Sequence, residues 1–193
     1  MQQHAYYQTH HLMSLFGRSR LVILIGLMGS GKSTLGRQLA SQAFFSGSFV
    51  DLDALIVKQT GKSIPDIFAE KGAASFRELE SRCLAETLQL PGKKVIATGG
   101  GAILSATNRA LMKERGGAII WLDASPEMLA ERISGDKNRP LLDGANPLEK
   151  MITLTEQRNP LYAEIADLRI DTGVLSNKEA VAKIMTFLSD YSA

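Results

Sequence analysis

The chain has 193 residues, enough for one substantial hydrophobic core. Its 22 Lys and Arg against 20 Asp and Glu leave a net charge of +2, too balanced to point to nucleic acid as a main partner. The single cysteine, Cys83, excludes an intramolecular disulfide and a cysteine metal cluster, and no apolar run approaches transmembrane length. A soluble domain in a reducing, cytoplasmic setting is expected, with no membrane partner.

Residues 1–19 contain no acidic residue, three histidines (His4, His10 and His11) and no clear period. They lack the apolar centre of a signal peptide and read as a flexible N-terminal extension, with a targeting or docking segment as the alternatives. The histidines have no carboxylates beside them and do not form a metal site. From residue 20 to 193 a single domain follows, in which strands and helices alternate. The predicted strands, 21–25, 49–52, 94–97, 118–122 and 168–170, are short and apolar enough to be buried on both faces, as in a parallel sheet. The predicted helices cover 32–44, 53–60, 64–70, 73–90, 105–115, 125–134, 147–165 and 177–190. The last opens with a capping box of Ser176 and Glu179, followed by Val181, Ile184, Met185 and Leu188 on one stripe. Cys83 shares an apolar helical face with Leu79 and Leu84 and reads as a core thiol. The rhythm predicts an α/β fold, a three-layer α/β/α sandwich with its ligands at the carboxyl ends of the strands. One polar, irregular insertion, residues 134–146, lies between two helices and is a candidate lid.

Between the first strand and the first helix stands Gly26-Leu27-Met28-Gly29-Ser30-Gly31-Lys32-Ser33-Thr34, a complete phosphate-binding P-loop pattern. Gly26 and Gly31 allow the tight turn that points successive N–H groups at an anion. Lys32 can reach the β- and γ-phosphates, the Ser33 hydroxyl can ligate Mg²⁺, and the helix N-terminus adds its partial positive charge. The alternative, a plain glycine-rich turn, leaves the flanking strand and helix without a purpose.

The acceptor is read elsewhere. Asp51 and Asp53 close the second strand, two carboxylates on one side of an extended segment by period-two alternation. Asp51 can hold Mg²⁺ through water and Asp53 can accept a proton from an attacking hydroxyl; the alternative for Asp53 is a cap on the next helix. On a later helix, Arg77 can grip a carboxylate in a fork with Glu80 holding it, or the two form a surface ion pair. Gly99, Gly100 and Gly101 follow the third strand directly, either as backbone that a ligand approaches closely or as a flexible turn.

These motifs, with Ser63-Ile64-Pro65-Asp66-Ile67-Phe68, Arg139-Pro140-Leu141-Leu142 and Arg158-Asn159-Pro160-Leu161-Tyr162, run in the order seen in shikimate kinases. The chain resembles that family over about residues 20–190. The resemblance implies a five-stranded parallel sheet of P-loop, nucleoside-monophosphate-kinase-like topology. It implies ATP and shikimate as partners, Mg²⁺ as cofactor, transfer of the γ-phosphoryl group to the shikimate 3-hydroxyl, and a monomer. By the same resemblance Asp53 is the acceptor-hydroxyl ligand and base, and Arg77 and Arg158 are the carboxylate clamp. Gly99, Gly100 and Gly101 pack against the substrate. Arg139 is the lid arginine and Arg132 lies over adenine. Gly29, Ser30, Gly31, Lys32, Ser33 and Thr34 bind ATP, with Ser33 and Asp51 at the metal. Two departures stand out: the 41–48 connection is about two residues longer than usual, and Gly173-Val174-Leu175-Ser176 replaces an adenine-flanking arginine. A related small-molecule kinase, such as a gluconate kinase, would share the P-loop without the paired arginines and glycine triplet. A catalytically silent P-loop protein would have lost Lys32, Asp53 or Arg139.

Overall fold

A computed structural model of the protein describes residues 21–42, 47–115, 117–134 and 146–191. The extension 1–19 and most of the candidate lid, Arg139 included, lie outside the described residues. Five strands, β1 (Leu21–Ile25), β2 (Ser48–Asp51), β3 (Lys94–Ala97), β4 (Ala118–Asp123) and β5 (Leu168–Asp171), pair in parallel in the order β2-β3-β1-β4-β5. The register aligns Leu24 with Ala97 on one side of β1 and with Ile120 on the other. The helices are α1 (Lys32–Ala40), α2 (Leu52–Thr60), α3 (Ile64–Gln89), α4 (Ala106–Glu114), α5 (Pro126–Ile133), α6 (Pro147–Ile165) and α7 (Asn177–Asp190), with a 3₁₀ turn at Ala102–Leu104. All the predicted strands and helices are present.

Alternation along β1 explains why its whole run is apolar. Val22 and Leu24 face Leu35 and Leu39 of α1 and Ile184 and Leu188 of α7. Ile23 and Ile25 face the opposite layer, where Leu84 of α3, Met112 of α4 and Tyr162 of α6 meet. Each of the four β1 side chains is at most 1% exposed, a burial worth about 1.5–3 kcal/mol per residue. A third cluster, Ile56, Ile67, Phe76 and Cys83, joins α2 to α3. The Cys83 thiol donates to Gln59 Oε1 at 3.1 Å, so it is the core thiol its helical face predicts. Among the described residues no helix is long and apolar enough to cross a membrane.

Element ends moved in informative places. The predicted helices 64–70 and 73–90 form one element, α3, interrupted at Gly72 with φ 75° and ψ 171°, a conformation close to glycine's alone. The segment predicted as strand 49–52 is strand only to Asp51, because α2 begins at Leu52. Asp51 and Asp53 therefore do not share one side of an extended segment; Asp51 ends the strand and Asp53 sits in the first turn of a helix.

All five strands deliver their carboxyl ends to one edge, and one tight passage on that edge is at Gly26. Its φ is 140°, and a β-carbon there would lie 2.2 Å from the Leu122 carbonyl oxygen at the end of β4. Gly26→Ala is expected to lower the unfolding free energy by at least about 1–3 kcal/mol, read by urea titration. An unchanged midpoint would mean that the turn opens without cost.

Candidate active site

The loop from β1 into α1 passes through three left-handed glycines, Gly26, Gly29 (φ 80°) and Gly31 (φ 89°). Gly31 is the N-cap of α1 and offers no side chain. The other six α-helices are each capped by a side-chain oxygen, from Asp51, Ser63, Ser105, Ser125, Asn146 and Ser176. Among the described helices only α1 presents its first turn without such a cap, an arrangement that suits an anion-binding helix end. Lys32 Nζ donates to the carbonyls of Gly26 at 2.9 Å and Leu27 at 2.7 Å, and so lies folded over the loop. Ser30 is fully buried, and its hydroxyl accepts from Lys32 Nζ at 3.5 Å.

Ser33 Oγ donates to Asp51 Oδ2 at 2.5 Å, bringing together the two groups predicted at the metal. The other Asp51 oxygen accepts from the Asp53 and Ala54 amides at 3.1 and 3.3 Å. Asp51, not Asp53, is thus the cap of α2, and the Asp53 carboxylate is left to line the cleft. A hydroxyl and a carboxylate beside a phosphate cradle suit Mg²⁺, which takes few protein oxygens and fills its shell with water and phosphate.

At the far end of the cleft the predicted acceptor residues converge. Arg77 Nη1 donates to Glu80 Oε2 at 2.5 Å, and Glu80 is only 1% exposed. This is no surface ion pair. A β-carbon on Gly99 would meet Glu80 Oε1 at 2.2 Å and Asp53 Oδ1 at 2.9 Å, and one on Gly101 would meet the Arg77 guanidinium at 2.3 Å. None of the triplet has a left-handed φ. The glycines therefore provide room for the protein's own charged side chains, an alternative to both the flexible turn and the simple ligand approach. Gly100 packs on the P-loop, 3.3 Å from Gly26 O by the same measure. Its carbonyl accepts from Arg158 Nη1 at 2.9 Å and from the Tyr162 hydroxyl at 2.7 Å.

The P-loop and the acceptor cluster share one cleft of about 810 Å³, walled on its outer side by Val57, Ile64, Pro65 and Phe68. Phe68 and Phe76 have ring centroids 4.6 Å apart, and the Arg77 guanidinium lies 5.2 Å from the Phe76 centroid. The Ser63–Phe68 motif was noted in the sequence without this role, because the break at Gly72 removes the helical spacing that would have tied Phe68 to Phe76. Arg132 enters at the nucleotide end, donating to Thr172 O at 2.6 Å, Thr172 Oγ1 at 3.1 Å and Gly29 O at 3.3 Å. It bridges the P-loop to the segment after β5, where Gly173 and exposed Val174 follow.

Burial pushes the Glu80 carboxyl above its ordinary value; the Arg77 guanidinium opposes this without reversing it. Arg158 is held below the usual arginine value, by burial above all and further by the nearby charge of Arg77. Two guanidiniums thus stand close together in a partly dehydrated site, an arrangement that an incoming carboxylate relieves.

An uncapped helix end with lysine and serine at one end of a cleft, and carboxylates with paired arginines at the other, define a P-loop kinase for a small anionic acceptor. The shikimate kinase family matches residues 28–189. A shikimate kinase of Nitrosococcus oceani is 44% identical over 170 residues, 88% of this chain and 87% of the relative. The solved structure of the Acinetobacter baumannii shikimate kinase in complex with shikimate superposes with a TM-score of 0.85 at 37% identity, covering 94% of this chain and 99% of that one. A gluconokinase from Sinorhizobium meliloti reaches a TM-score of 0.53 at 22% identity over 91% of this chain and 93% of that one, and shares the fold alone. The chain belongs to the shikimate kinase family, and it is an ATP-dependent phosphotransferase.

The raised Glu80 pKa has a sign that can be measured. In the window opening at the ordinary glutamate value, about 4.3, the folded protein keeps a proton that the unfolded chain has released. Raising the pH through that window therefore lowers stability. Glu80→Gln should flatten this slope above about pH 4.3 in denaturant titrations. Parallel curves for the two proteins would place the Glu80 pKa at its ordinary value.

Proposed function

We propose that the protein transfers the γ-phosphoryl group of ATP to the 3-hydroxyl of shikimate, giving shikimate 3-phosphate and ADP. The observation that carries this reading is the continuity of the cleft, in which Gly100 packs against Gly26 and joins acceptor pocket to phosphate cradle. Arg77 and Arg158 clamp the shikimate carboxylate, whose planar geometry matches guanidinium donors. That contact sets the ring so that a hydroxyl faces Asp53. Asp53 takes the hydroxyl proton as the oxygen attacks the γ-phosphorus and the bond to the ADP oxygen breaks. Lys32, the α1 N-terminus and Arg139 offset the negative charge that spreads over the transferring group.

Ser33 and Asp51 would hold Mg²⁺, directly and through water. The ion would supply positive charge against the phosphates of ATP. Arg132, held by Thr172, covers the adenine side. The protein acts as a monomer in the cytoplasm; the single free thiol accords with a reducing compartment.

Parallel coupled assays with shikimate and gluconate test the acceptor. ADP release that depends on shikimate is expected, and release with gluconate alone would overturn the assignment. Asp53→Asn should lower kcat by roughly 10²–10⁴ with little change in ATP affinity; near-normal turnover would remove Asp53 as the base. Arg77→Lys keeps the charge but loses the fork, so the KM for shikimate should rise far more than that for ATP. A change confined to the ATP constant would move Arg77 out of the acceptor pocket.

A further inference from the structure

One buried group next to the acceptor cluster has no part in the chemistry above. Tyr162 is 1% exposed and follows Arg158 by four residues, on the same face of α6. Its hydroxyl and Arg158 Nη1 share the Gly100 carbonyl, at 2.7 and 2.9 Å. A carbonyl oxygen has two lone pairs, so both donors are accommodated together. We propose that Tyr162 is a positioning residue for the acceptor: its hydroxyl fixes the Gly100 carbonyl and, through it, the direction in which Arg158 presents its guanidinium.

Three observations support the assignment. Among the described residues Arg158 Nε is buried with no hydrogen-bond partner, so the guanidinium is oriented through its contact to Gly100 and through the Tyr162 hydroxyl beside it. The tyrosine ring is located from outside the acceptor pocket. It stacks on Trp121 of β4 with centroids 5.9 Å apart. Trp121 is in turn covered by the Arg169 guanidinium at 4.8 Å, and Arg169 is anchored to Asp123 by Nε and Nη2 at 3.0 and 2.6 Å. The phenol also remains a donor throughout the working pH range, because burial pushes its ionisation far above the usual tyrosine value. Arg158 thus inherits its aim from the β4–β5 edge of the sheet through a stack, a hydroxyl and a shared carbonyl.

Tyr162→Phe removes the hydroxyl and keeps the ring. The KM and the calorimetric Kd for shikimate should rise about tenfold, with the KM for ATP within about twofold. In an Arg158→Lys background the same change should add less than about threefold, since Tyr162 acts through Arg158. An unchanged shikimate constant overturns the proposal, as does an equal rise in both KM values or a full effect in the Arg158→Lys background. Should Tyr162→Phe fail to fold, Trp121→Phe loosens the stack while leaving the hydroxyl in place. It should raise the shikimate KM severalfold with ATP unaffected, and equal effects on both substrates again overturn the proposal. The inference rests on shikimate as the acceptor. Wild-type protein without shikimate-dependent ADP release defeats that reading; an active wild type indistinguishable from Tyr162→Phe defeats only the role of the tyrosine.

Discussion

Residues 99 and 101 have no side chains because three other side chains occupy that space. Glu80 and Asp53 close on Gly99 from one side and Arg77 lies flat against Gly101. The site depends on this strip of bare backbone. It lets groups from α2 and α3 lie against the turn after β3, and it lets Gly100 rest on the P-loop. A single β-carbon at 99 or 101 would push apart charges that are useful only together, and would widen the gap between acceptor and phosphate.

The same packing determines the electrostatics. Four ionisable side chains, Asp53, Arg77, Glu80 and Arg158, converge in a cleft whose outer wall is Val57, Ile64, Pro65 and Phe68. Low polarity strengthens every pairing inside it and penalises every charge without a partner. Glu80 meets that penalty by holding Arg77, which also fixes the rotamer of a long, otherwise mobile side chain. Arg158 meets it less completely, with one nitrogen on Gly100 and Nε unpaired. A buried cation in that condition favours an anionic ligand over water.

Much of this was legible in the sequence, and the gaps have physical causes. The strands could be read because β1, β3 and β4 are buried on both faces and so are apolar but for Lys94 and Asp123 at their ends. The break at Gly72 was legible because glycine interrupts a helical period where an ordinary residue would continue it. Asp51 and Asp53 were misplaced because period-two counting assumes that the strand continues, whereas the Asp51 side chain itself starts α2 by capping it. The glycine triplet was located correctly, but its cause lay in Glu80 and Arg77, distant in sequence, and spacing carries no information about such contacts. The stack of Tyr162 on Trp121 was hidden for the same reason, since it joins β4 to α6 across 41 positions of chain.

The interruption at Gly72 also bears on how the parts of such a pocket are tied together. In an unbroken helix, adding one residue turns everything beyond it by about 100°, so lengthening the wall would swing Arg77 and Glu80 away from the turn after β3. At Gly72 the backbone leaves helical angles, and a β-carbon there would meet nothing within 4 Å. The phase is reset at that point. The apolar wall of Ile64, Pro65 and Phe68 and the charged pair of Arg77 and Glu80 thus stand on two pieces of one element whose helical phases are set separately, and what couples them is side-chain packing, Phe68 on Phe76, rather than a continuous helical backbone.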